Sequence, residues 1–203
     1  MSLERDLELL YEVGCLRFIQ RTWKQFLGPD FANLTEHHLR VIWLSLLLAK
    51  MENAGNQEKI IKMALVHDLT ESRTGDVHHI SRQYTKRNEA KAVKDIFKDT
   101  SLRKEMVGLW LEYEKKKSIE AKIVKDADYL DVDLELQEQK AIGRRHFHPW
   151  DSTRKIISEK LHTKSGKQLW QAIQKSDPSD WFGHARTRFN SGDMKPKHPR
   201  THK

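Results

Sequence analysis

Apolar residues recur at intervals of three and four along most of the chain, and no stretch keeps a period of two. Leu3, Leu7, Leu10, Tyr11 and Gly14 predict an amphipathic N-terminal helix that runs on into Leu16–Trp23 and breaks near Gly28-Pro29. Asn33 and Thr35 are candidate caps for a second helix reaching Lys50. After a turn at Asn53–Asn56, a third helix over Gln57–His67 places Ile60, Ile61, Ala64 and Leu65 on one face. A polar segment, Asp68–Ile80, follows. Further helices are expected over Lys86–Phe97, from Leu102 to about Lys116, and from Ser118 onward through Leu134, with two more at Thr153–Leu161 and Gly166–Lys175. Asp177-Pro178-Ser179-Asp180-Trp181 reads as a turn into a last short helix, because proline suits a first helical position. The expected fold class is all-α.

Composition narrows this picture. The 203 residues contain 9 Gly and 5 Pro, too few turn formers for a many-stranded fold. One domain with its own core is expected over residues 1–182. The net charge of +8 is uneven: Gly183–Lys203 carries six Lys/Arg and one Asp, so +5 of it lies in this segment, which is expected to be a mobile basic tail. The nine residues Val41–Ala49 are the most apolar run, far short of the ~20 needed to cross a bilayer. A single cysteine, Cys15, excludes an intrachain disulfide framework and fits a cytoplasmic protein.

Metal-ligating residue types then fall in helical contexts: His37 in Glu36-His37-His38, the pair His67-Asp68, and Asp126 and Asp128. Neighbours such as His67 and Asp68 point about 100° apart on a helix, so they share an ion only when other helices bring ligands into the gap. Val124, Tyr129 and Leu130 flank the two aspartates, so one of them should point inward, and a buried acid needs a partner. Imidazole plus carboxylate suits a divalent ion such as Mn, Co, Ni, Zn, Fe or Mg with open positions; without cysteines it is not a structural zinc site.

The order His … His-Asp … Asp on separate helices resembles the HD-domain superfamily of metal-dependent phosphohydrolases, most nearly the branch of the 5′-deoxynucleotidases. Leu16–Trp23, Thr35–Ile42, Ala64–Asp76, Leu109–Glu114 and Glu120–Leu130 carry the resemblance. It implies a single helical bundle, a divalent cation held by His37, His67, Asp68 and Asp128, and hydrolysis of a nucleoside or deoxynucleoside 5′-monophosphate. It further implies Glu71, Asp76 and Asp68 as catalytic acids, the last able to accept a proton from water. Arg21 corresponds to an arginine that grips the substrate phosphate, with Trp23 beside it; Thr22 stands between them, where the family often has Trp directly after Arg. Homodimers are common among such proteins, and Trp43, Trp110 and Trp170 could serve an interface or the core.

Other readings stay open at this level. The same scaffold serves nucleoside triphosphates or cyclic nucleotides. The basic tail, with Phe189, His184, His198 and His202, could contact nucleic acid, although no groove-binding motif accompanies it. His78 and His79 read as exposed loop residues, and Arg73 and Lys125 as either phosphate contacts or solvated charges.

Overall fold

A computed structural model describes residues 2–28, 30–143 and 148–183, with the side chains of 148–151 left aside. The elements are α1 (Leu3–Cys15), a 3-10 turn (Leu16–Phe18), α2 (Lys24–Leu27), α3 (Leu34–Glu52), α4 (Gln57–Val66), α5 (Glu71–Thr74), a second 3-10 turn (Ser81–Gln83), α6 (Glu89–Ile96), α7 (Arg103–Lys115), α8 (Ile119–Ala141), α9 (His148–Glu159) and α10 (Lys164–Ile173). Among the described residues the only extended pairing is one antiparallel bridge between Gln20 and Asn33. No described helix is long and apolar enough to cross a membrane. The basic segment beyond Gly183 lies outside the described residues.

Side-chain oxygens start most of the helices. Ser2, Asn56, Asn88, Ser118 and Thr163 each accept a hydrogen bond from the backbone N–H three residues on, and Asn33 forms a reciprocal capping box with Glu36. These caps satisfy N–H groups that the first turn of a helix leaves without partners.

α8 is the axis of the fold and packs against α3, α4, α7 and α10. On α3 the buried positions are Leu34, His37, His38, Val41, Leu44, Ser45, Leu48 and Ala49, one helical stripe with two histidines at its leading end. Across from it lie Ile123, Val124, Ala127 and Leu130 of α8, Ile60 and Met63 of α4, and Leu109, Trp110 and Tyr113 of α7. A satellite cluster joins Phe31, Val132 and Leu136, with Trp23 and Leu27 against it.

α8 also buries five acids, four of them partnered by neighbouring segments and one within the helix. Asp126 accepts from the His162 and Thr163 backbone N–H groups and from Thr163 Oγ1. Asp131 accepts from His37 and Arg40, Asp133 receives the fork of Arg154, and Glu135 caps Ala32 N–H. Asp128 pairs with Lys125 at 2.7 Å. Gly166 is required by this arrangement, because a Cβ there would lie 2.6 Å from Asp126 Oδ2.

Three expectations are corrected here. The N-terminal helix does not run on to Trp23: after the 3-10 turn the backbone extends at Ile19, where its carbonyl accepts Leu34 N–H, and this turn buries Arg21. Asp177–Trp181 forms no helix; Asp177 Oδ1 accepts from Ser179 N–H and Oγ, holding a turn. The buried face of α4 runs through Ile60, Met63, Ala64 and Val66, leaving Leu65 exposed, since α8 and α7 meet it on that side.

Asp126→Ala removes the acceptor of three donors at the entry to α10, the Thr163 N–H among them buried, so it should lower unfolding stability by about 3 kcal/mol. A urea titration at unchanged m-value checks this.

Candidate metal centre

His37 enters from the N-terminal end of α3, Asp128 from the middle of α8, and His67 and Asp68 from the turn just past α4. α4 closes at Val66, and Glu71 opens the separate α5. One ligand-type atom from each of His37, His67, Asp68 and Asp128 lies within 4.8 Å of the others.

The second nitrogen of each imidazole sets its tautomer. His37 Nδ1 donates to Asp131 Oδ2 at 2.6 Å, and His67 Nδ1 donates to the Ala64 carbonyl at 2.7 Å. Both acceptors lack protons, so Nδ1 of each ring carries the hydrogen and Nε2 faces the cluster, offering a lone pair whenever that ring is neutral. The two Nε2 atoms face each other at 3.4 Å. His37 Nε2 is 3.4 Å from Asp128 and 3.6 Å from Asp68, and His67 Nε2 is 3.4 Å from Asp68. Two lone pairs and two carboxylates aimed at one point favour positive charge there.

The titration tendencies say the same. Burial opposes a charged His37, and Arg21 adds to that, yet hydrogen bonds to Asp128, Asp131 and Asp68 hold its pKa well above the usual imidazole range. Burial would raise Asp68 and Asp128; His67 and His37 lower Asp68, while Lys125 and His37 hold Asp128 well below the usual carboxylate range. The donor set of two imidazoles and two carboxylates therefore fits a divalent cation. Asp131 orients His37 as an outer carboxylate does in metal–histidine–carboxylate arrangements.

Beside the cluster lies Arg21, only 7% exposed, with Nη1 3.8 Å from Asp68 and Nε 3.6 Å from Asp76. Asp76 also accepts Thr22 N–H, so it holds the Arg21 segment and does not join the four-residue cluster. Burial disfavours the guanidinium charge, but Asp76, Asp68, Asp128 and Glu71 more than compensate and keep it charged. Its Nε is buried without a hydrogen-bond partner, as is Glu71 Oε2. The other Glu71 oxygen meets Arg87 Nη1 at 3.2 Å, and the same nitrogen donates to the Gly75 carbonyl at 2.8 Å. Burial, reinforced by Asp68 and Asp76, pushes the Glu71 carboxyl well above its usual range. Trp23 sits in the satellite cluster with its ring edge-on to His78 at 5.7 Å between centroids.

Sequence reasoning missed several of these. His78 is buried against Phe26 and Trp23, and only His79 is exposed. His38 is buried, its ring 4.7 Å from that of His67. Asp131 is the residue missed, although its place three residues past Asp128 on one helix carries a spacing signal; Arg87 lies in the Tyr84–Arg87 stretch, which could be read as bordering a substrate cleft, but the sequence gives it no geometry. Arg73 pairs with Glu12, away from the cluster, and Lys125 joins it through Asp128 while lying over the Tyr129 ring.

Comparison with known proteins places this geometry. The HD domain family model matches residues 13–170. The 5′-deoxynucleotidase HDDC2 of Danio rerio is 32% identical, over 67% of this chain and 70% of the relative; its Homo sapiens counterpart is 31% identical, over 65% and 67%. A conserved hypothetical protein from Pyrococcus furiosus superposes with a TM-score of 0.72 at 27% identity, covering 84% of this chain and 99% of that one. The matched span contains all four residues of the cluster and every element that supplies them, and the chain belongs to the HD-domain family.

Proposed function

We propose that this protein is a metal-dependent phosphohydrolase that converts deoxynucleoside 5′-monophosphates to nucleoside and phosphate, working in the cytoplasm as a homodimer. The observation that carries the reading is a buried arginine beside two facing imidazole nitrogens and two carboxylates: an anion grip next to a cation seat. The similarity to 5′-deoxynucleotidases supports the choice of ester.

His37, His67, Asp68 and Asp128 hold the divalent cation, which supplies Lewis-acid activation of water and of the phosphoryl group. Arg21 places bidentate donors on the phosphate oxygens where charge accumulates, and Asp76 is a positioning residue that holds Arg21 in register. Asp68 accepts the proton released by the attacking water. As the new oxygen–phosphorus bond forms and the bond to the 5′ oxygen breaks, the protonated Glu71 donates to the leaving alkoxide. Arg87 orients that carboxyl while leaving Oε2 for the proton. Trp23 borders the pocket for the sugar and base.

Two experiments test this. Phosphate release should require Mn, Co, Ni, Zn, Fe or Mg, stop with chelator, and vanish with Asp128→Ala, whose loss of metal binding calorimetry reads independently of turnover. Release of pyrophosphate or tripolyphosphate from triphosphates, with monophosphates inert, would sink the monophosphatase reading. For the named side chains, Glu71→Gln should lower kcat by about 10²–10⁴-fold with little change in KM. Arg21→Ala should lower kcat/KM by roughly 10²–10³-fold. Wild-type turnover in either variant at saturating metal removes that residue from the mechanism.

A further inference from the structure

The face of α3 opposite His37 is exposed and has an internal symmetry. Its outward residues are Thr35, Glu36, Leu39, Trp43, Leu47, Lys50 and Met51. Leu39 is 59% exposed, Trp43 67% and Leu47 47%, so three large apolar side chains stand in water one above another at four-residue spacing. A ridge of this kind on a soluble protein marks a contact surface. Of the three tryptophans considered from the sequence, Trp110 is buried and Trp170 packs against the core; only Trp43 faces out.

The ridge is a palindrome about Trp43. Leu39 and Leu47 lie four residues to either side of it, Glu36 and Lys50 seven to either side, and Thr35 and Met51 eight. A two-fold axis through Trp43 laid across two antiparallel copies of α3 therefore sets Trp43 against Trp43. It sets Leu39 against the other copy's Leu47, and Glu36 against the other copy's Lys50. Such isologous pairing, in which position i meets j while j meets i, is what a two-fold interface demands. A parallel arrangement would set Glu36 on Glu36 and Lys50 on Lys50, and like charges repel. The chain's own residues 184–203 suit the ridge poorly, with Phe189 and Met194 as their large apolar side chains against six cations.

We propose that α3 is the dimer seam of this protein, with Trp43 on the two-fold axis and Leu39 and Glu36 facing Leu47 and Lys50 of a second copy. This deepens the homodimer reading and does not depend on the substrate: assembly and turnover are read by separate measurements. The seam uses the outer side of the helix whose inner side carries His37, so two copies brace the helices that bear a metal ligand while their sites face away from the contact.

Sedimentation of the full chain tests it, the expected mass being twice 24.0 kDa. Trp43→Glu should give a 24.0 kDa monomer with unchanged helical circular dichroism. In a Cys15→Ser background, Leu39→Cys combined with Leu47→Cys should oxidise to a covalent dimer, whereas either cysteine alone should not. Monomeric wild-type protein, or a dimer that survives Trp43→Glu, overturns the seam. Covalent dimers from Leu39→Cys alone overturn its antiparallel register.

Discussion

Charge cannot enter a protein interior without a partner, and α8 takes five carboxylates there at once. Several of the segments around that helix answer the constraint. Arg154 comes from α9, the His162–Thr163 N–H groups precede α10, Ala32 N–H precedes α3, and Arg40 and His37 come from α3 itself. Apolar packing alone would let α3 slide along α8; the acids fix where along the helix each neighbour must sit. Asp128 is the member of this set whose surroundings also admit a metal ion, and Asp131, one turn on, fixes the tautomer that makes His37 a ligand.

The helical elements were legible because α3, α7 and α8 carry long apolar stripes that no local feature contradicts. The errors fall where tertiary contacts override periodicity. Leu16–Trp23 has the spacing of a helix, but the backbone bridge to Asn33 and the burial of Arg21 against two acids extend it instead. Asp177-Pro178 carries a helix-start signal, yet the aspartate side chain closes a turn on Ser179.

The site was legible as residue types and not as geometry. His37, His67, Asp68 and Asp128 could be named because a resemblance supplied the order, and the fold brings them within reach of one ion. Nothing in the chain said that Asp76 reaches back to Thr22 and Arg21, or that Arg87, across a loop, holds Glu71. Those pairings join residues 54 and 16 positions apart through turns whose paths depend on the finished fold. His78 reads as a loop residue, and only the packing of Phe26 and Trp23 makes it part of the interior.

The bond between Asp126 and the His162–Thr163 turn bears on how little of this chain can be expressed and still carry the site. The four cluster residues lie between positions 37 and 128, which invites a fragment ending with α8. Such a fragment would keep every metal-binding side chain and still fail. Asp126 and Asp133 would lose the donors that neutralise them, and two bare carboxylates would flank Asp128 on the same helix. The boundary of the smallest working piece is thus set by electrostatics on the far side of α8, beyond Thr163.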